Sequence, residues 1–395
     1  MPAPDAQPRP SFTDKLTRKT DTRKLLALDG GGIRGLITVE VLAGIESMLR
    51  RESGNPDLVL ADYFDYIAGT STGAIIATCL ALGMRVEQVR EFYVGSGKEM
   101  FDKSSLLKRF RYKYEDDRLA KMLRDVLREE SGEAADPTLG SAALRTLLLI
   151  VMRNATTDSP WPLSNNPDAK YNVRDPARDD CNLDLPLWQL VRASTAAPVY
   201  FPPEEVRVGK RSFLFVDGGV TTYNNPSFLL FLMATMGAYR LGWPVGPEKM
   251  LLVSVGTGTS PDANEDLDAG DMNLLYNAGS IPSALMYAAL NEQDMLCRVF
   301  GECRFGAQLD REVGTLIDVP GGKPQGLVPK LFTYARYNAE LTRDGLQELR
   351  IDGIDPSHVQ KLDSVKYVDE LQQVGRAVAA KVEPAHFAGF PAGAA

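Results

Sequence analysis

The sequence predicts an α/β fold. The expected architecture is a three-layer sandwich with a central, mostly parallel sheet, a serine elbow at one strand end, and a helical C-terminal extension. Three observations predict it. A short apolar strand runs into a glycine turn and then a helix, and this unit occurs twice in succession. Such successive units need helical crossovers, which make their strands parallel. Later apolar runs of strand length follow, and two of them also end in glycine turns, at Asp217-Gly218-Gly219 and Gly256-Thr257-Gly258.

Residues 1–22 read as a flexible extension, because the opening stretch is polar and proline-rich and lacks the apolar core of a signal peptide. Lys24 to Asp29 reads as a buried strand leading into Gly30-Gly31-Gly32-Ile33-Arg34-Gly35. From Leu36 to Arg51, apolar residues recur at helical spacing at Leu36, Val39, Leu42, Ile45 and Leu49. Tyr63 to Ala68 is the second strand, Gly69-Thr70-Ser71-Thr72-Gly73 its turn, and Ala74 to Leu82 its helix. Further strands are expected at Leu147–Met152, Ser212–Val216 and Met250–Val255. Two stretches interrupt this rhythm. Lys98 to Lys113 is charged and aromatic, and its basic end, Lys108 to Lys113, reads either as a solvated helix face or as a phosphate contact. Ser159 to Asp184 is rich in Pro, Asn and Asp and reads as a surface loop or a lid over the site. The expected division is an α/β domain over 23–281, a helical extension packed on it over 282–384, and a flexible tail over 385–395.

Composition narrows the function. Of 395 residues, 44% are hydrophobic and 24% charged, which suits a globular chain with a sizeable core. The net charge of -8 lacks the basic footprint of a nucleic-acid binder and gives no long-range attraction to anionic membranes. No apolar run, Phe228 to Met236 included, has the length of a membrane-spanning helix. Cys79, Cys181, Cys297 and Cys303 are too scattered for a disulfide framework or a zinc site, so a reduced, cytoplasmic protein without a metal is expected. The chain has only 2 histidines, His358 and His386, both close to the C-terminus, and both read as surface or capping residues. A catalytic scheme built on histidine therefore has few candidates.

Gly69-Thr70-Ser71-Thr72-Gly73 fits the pattern of a nucleophile elbow. A serine in a sharp strand-to-helix turn projects its hydroxyl from the sheet, and Gly69 and Gly73 permit the tight approach. Gly30, Gly32 and Gly35 formally match a dinucleotide-binding fingerprint, G-x-G-x-x-G. The same glycines can instead aim backbone N–H groups at one oxyanion. The serine elbow one unit later favours the oxyanion reading, as does Arg34, a cation just inside the helix start. Asp217-Gly218 can be a plain turn, or the base that the serine needs where histidine is scarce.

These motifs resemble those of the patatin-like phospholipases. Five elements stand in that family's order between Lys24 and Thr259: DGGGIRG, GTSTG, Arg192-Ala193-Ser194-Thr195-Ala196-Ala197-Pro198 leading to Tyr200-Phe201-Pro202-Pro203, DGG followed by Asn224-Asn225-Pro226, and Ser254-Val255-Gly256-Thr257-Gly258. The resemblance implies Ser71 as nucleophile, Asp217 as its base, Gly30, Gly31 and Gly32 as the oxyanion hole with Arg34 beside it, and a lipid acyl ester as substrate. It implies no cofactor. Two later segments, Asn291 to Arg298 and Leu331 to Asn338, are similar to a bacterial branch that includes phospholipases switched on by cyclic nucleotides in anti-phage defence. That narrower resemblance implies a cyclic-dinucleotide activator, and the wider one a phospholipid substrate met at a membrane surface; the sequence leaves the oligomeric state open, a homo-oligomer included. Transfer of the acyl group to another alcohol, and a non-catalytic phosphate or nucleotide sensor, remain as alternatives.

Overall fold

The structure is a computed structural model that describes residues 11–17, 22–101, 118–198, 200–260, 274–310, 312–319 and 321–392. Among the described residues, nine strands form one sheet: β1 Arg23–Leu28, β2 Tyr66–Thr70, β3 Leu147–Asn154, β4 Ser159–Ser164, β5 Glu204–Val208, β6 Arg211–Asp217, β7 Met250–Val255, β8 Glu302–Phe305 and β9 Thr333–Tyr337. The run β3-β2-β1-β7-β9-β8 is parallel, while β4, β5 and β6 add antiparallel pairings on the β3 side.

Strand alternation divides the interior into two cores. Leu26 and Leu28 of β1, with Ile67, Leu251 and Val253, pack against the helices Gly35–Ser53 and Thr72–Ala81. Leu25 and Ala27, with Ala68, Leu252 and Tyr334, pack against the helix Ser227–Thr235 on the opposite face. A central strand buried on both faces reads as a continuous apolar run, which is why Lys24 to Leu28 is recognisable in the sequence.

The arrangement that builds the site lies along β3. On one edge β3 pairs with β2 through Thr70 opposite Val151, and then with β6 through Asp217 opposite Met152. β4 pairs with residues 149–154, so it must occupy the other edge. β2 and β6 therefore approach each other head to head along one edge, and their C-terminal ends meet.

Several expectations need correction. Phe12–Thr17 is a helix, not a flexible extension: Lys15 is buried and donates to the carbonyls of Ala61 and Phe64. Ser159 to Asp184 is not a free loop. Its start is β4, and Asn165 and Asn172 are buried with their amides bonded to Leu148 N–H, Thr146 O, Ser164 O and Asn166 O. β4 sits on the edge of β3 away from β2 and β6. The region 282–384 is not wholly helical, because β8 and β9 extend the sheet. Both strands are short and carry arginines, which disguised them. The tail is docked as far as Phe390, whose ring is buried and whose carbonyl accepts from the Tyr63 hydroxyl at 2.7 Å. The basic run Lys108 to Lys113 lies outside the described residues.

Candidate active site

Ser71 follows the last residue of β2 and precedes the helix Thr72–Ala81. Its backbone sits at φ 54° and ψ -123°, a conformation few side chains tolerate and one in which strain is stored at functional positions. The glycines make that turn fit. A Cβ on Gly69 would stand 2.1 Å from the Gly73 carbonyl oxygen, and one on Gly73 would stand 2.4 Å from the Leu28 carbonyl oxygen. Ser194, at the end of the helix Leu187–Ser194, holds the elbow from behind. Its Oγ accepts from the Ser71 amide at 2.9 Å and donates to the Val151 carbonyl at 2.6 Å.

Ser71 Oγ donates to Asp217 Oδ2 at 2.6 Å. The other carboxylate oxygen, Oδ1, accepts from the Gly219 amide at 2.6 Å. Gly218 is required by close approach, since a Cβ there would lie 2.3 Å from the Val151 carbonyl oxygen. Asp217 is 5% exposed. Burial raises its carboxyl to about 6, against the opposing pull of the Ser71 and Gly219 hydrogen bonds and of the Arg192 cation. A carboxylate so placed is a stronger base than an exposed one, whose reference pKa is about 3.9.

The glycine loop lies beside this pair. The Gly30 amide donates to the Asn224 carbonyl at 3.1 Å, and the Gly30 carbonyl accepts from Thr257 Oγ1 at 2.8 Å. The Ile33 amide donates to the Leu362 carbonyl at 3.0 Å, and the Arg34 amide to the Gly31 carbonyl at 3.2 Å. Among the described residues, the Gly31 and Gly32 amides have no hydrogen-bond partner. This corrects the expectation for Gly30, whose donor is already engaged within the fold, and leaves Gly31 and Gly32 as the available pair. Gly32 sits at φ +59°, and a Cβ there would also meet the Leu362 carbonyl at 2.4 Å. Arg34 turns its guanidinium to the Gln360 carbonyl at 3.1 Å, and burial lowers its pKa to about 10, with Asp29 opposing. It braces the loop against the C-terminal segment and offers no backbone donor.

The histidines hydrogen-bond elsewhere. His358 Nδ1 lies 3.1 Å from Glu370 and its ring stacks on Tyr367. His386 Nδ1 lies 2.8 Å from the Tyr337 hydroxyl and its ring stacks on Phe305. Ser194, Asn224 and Thr257 stand within the sequence motifs, which give them no role; their contacts to Ser71 and Gly30 supply one. Leu362 and Gln360 carried no signal, because they act through backbone carbonyls.

A strained serine at the end of a parallel strand, bonded to a buried carboxylate beside two unpaired loop amides, is the arrangement of a serine hydrolase. The chain belongs to the patatin-like phospholipase family, whose model matches residues 26–230. It is 30% identical over 262 residues to patatin group D-2 of Solanum tuberosum, covering 62% of this chain and 63% of that protein. It is 28% identical over 268 residues to patatin-17 of Solanum cardiophyllum, again 62% of this chain and 63% of that protein. The matched region thus spans under two thirds of these relatives. Among solved structures, human GIVD cytosolic phospholipase A2 aligns over 95% of this chain and 61% of its own, at 11% identity and a TM-score of 0.46.

Proposed function

We propose that the protein hydrolyses lipid acyl esters through an acyl-serine intermediate, with Ser71 as nucleophile and Asp217 as its base. The single observation that carries this reading is the 2.6 Å contact from Ser71 Oγ to a carboxylate that is buried and raised to about 6. Asp217 accepts the hydroxyl proton as Oγ attacks the ester carbonyl. The Gly31 and Gly32 amides stabilise the oxyanion of the tetrahedral intermediate. As that intermediate collapses, the proton passes from Asp217 to the leaving alkoxide. Water then gives its proton to Asp217 while its oxygen attacks the acyl-serine, and collapse releases the fatty acid and restores Ser71.

A phospholipid met at a membrane surface is the proposed substrate, by analogy with the family. Cytoplasmic placement, which rests on the scattered cysteines, peripheral membrane contact, which follows from a lipid substrate, and self-association belong to the same proposal; activation by a cyclic dinucleotide rests on the narrower resemblance alone. The residues that carry that resemblance include Asp294, Arg298, Tyr334 and Arg336, all buried and bonded to one another. Phospholipid vesicles incubated with the protein, with and without a panel of cyclic dinucleotides, test the reading by mass spectrometry. Free fatty acid and lysophospholipid should appear, and Ser71→Ala should abolish both. A product in which an added alcohol carries the acyl group would make it a transferase. No acyl product under any condition would leave a binding protein.

A further inference from the structure

Arg336 lies in β9, beyond the residues 26–230 matched by the family model. It is 2% exposed and Asp29 is 0% exposed. Its Nη1 and Nη2 donate to the two Asp29 carboxylate oxygens at 3.2 and 2.6 Å, and Nη1 also donates to Ser254 Oγ at 2.6 Å. Asp294 faces Arg336 Nε at 3.4 Å. Asp294 is gripped in turn by Arg298 at 2.9 and 2.7 Å and by the Tyr334 hydroxyl at 3.0 Å. A buried ion pair is a poor device for stability, since both charges must be desolvated. Its use lies in geometry: the guanidinium is a planar fork that fixes a carboxylate in orientation as well as distance.

Asp29 is the residue before Gly30. Its amide is tied to the Val255 carbonyl at 3.1 Å, and the loop beyond it is tied by Asn224, Thr257 and Leu362. The carboxylate is therefore the anchor at the start of the loop, and Arg336 is what holds it. We propose that Arg336 is the positioning residue of the oxyanion loop, fixing Asp29 so that the Gly31 and Gly32 amides stay aimed at the carbonyl that Ser71 attacks. This rests on the reading of those two amides as oxyanion donors. Such donors act through placement, and small displacements reduce the rate of the chemical step with little effect on binding.

Two variants of the full chain test it. Arg336→Lys keeps the charge and loses the fork. Asp29→Asn with Arg336→Gln puts a neutral hydrogen-bonding pair in the same space, and avoids leaving a lone buried charge. A fluorophosphonate titration run to its endpoint counts competent serines, and kcat and KM are then read on a soluble p-nitrophenyl ester. The expected result is a fall of at least tenfold in kcat per titrated serine, with KM within about twofold of the wild type. The inference is overturned if the folded variants keep kcat per titrated serine within tenfold, even with fewer competent sites or a lower Tm. Failure of both variants to fold would assign Arg336 to stability and overturn it equally. A wild-type protein that is not titrated at Ser71 would instead sink the catalytic reading itself.

Discussion

Asp217 stands one register position beyond Thr70 along the same edge of β3, opposite Met152 where Thr70 is opposite Val151. Two strands far apart in sequence and opposite in direction thus end at one point, with Ser71 and Asp217 at the junction. No flexible side chain has to reach across the site. The separation of the pair is set by backbone hydrogen bonding to a shared strand.

Gly218 lets that junction close, so Gly218→Ala should open it. The added methyl meets the Val151 carbonyl, and the end of β6 must shift. We expect turnover on a soluble ester to fall at least tenfold and Tm to drop, measured by steady-state kinetics and thermal melting. A distance-sensitive reaction loses about that much from a small displacement of its base. Wild-type turnover in Gly218→Ala would show that the tight register is dispensable.

The raised carboxyl of Asp217 has two consequences with opposite pH trends. With Asp217 as the proposed base, activity requires its ionised form, so kcat/KM on a soluble ester should rise with pH through about 6 and level off above it. Stability runs the other way. A folded pKa above the unfolded value means that the native state binds more protons between about 4 and 6, so this contribution is present below about 4 and lost above about 6. Asp217→Asn should therefore be inactive yet more stable than the wild type at pH 8, by on the order of 2 to 3 kcal/mol, with the gap shrinking toward pH 4. Denaturant melts at the two pH values measure it. A variant less stable than the wild type at pH 8 would mean that burial does not dominate at this carboxyl.

Gly31→Ala should damage the chemical step selectively. Its Cβ would stand 2.1 Å from Thr257 Oγ1, so the loop must move and carry its amides with it. Turnover should fall by roughly tenfold to a thousandfold, the cost of a displaced oxyanion donor. KM should change far less. Equal losses in kcat and affinity would point to a binding role for the loop.

His358→Ala with His386→Ala should leave turnover within about threefold of the wild type, well short of the roughly hundredfold or greater effect of a lost general base. His386 packs against Phe305 and Tyr337, so a modest fall in Tm is expected alongside. A hundredfold loss of turnover would reassign the base.

The catalytic half of this fold is legible because it is local. β1 with its glycine loop, and β2 with Ser71, each announce themselves by a continuous apolar strand and a fixed pattern of glycines. The supporting half is not local. Arg336 reads as a charge that argues against a buried strand, and its pairing with Asp29, Asp294 and Ser254 explains why β9 accepts it. Leu362 and Gln360 contribute carbonyls, which every residue possesses, so no residue type marks them. The docked tail was hidden for a related reason: Phe387 and Phe390 sit among small residues with no helical or strand periodicity, although both rings are buried.

The central claim is that Ser71 and Asp217 act as one unit. The most direct test follows the rate at which a fluorophosphonate labels the protein, with the modified peptide mapped by mass spectrometry, in the wild type and in Asp217→Asn. The account predicts a single adduct on Ser71 in the wild type and labelling slowed at least a hundredfold in Asp217→Asn, the scale of a lost general base. Labelling at undiminished rate in Asp217→Asn, or an adduct on a residue other than Ser71, would contradict it.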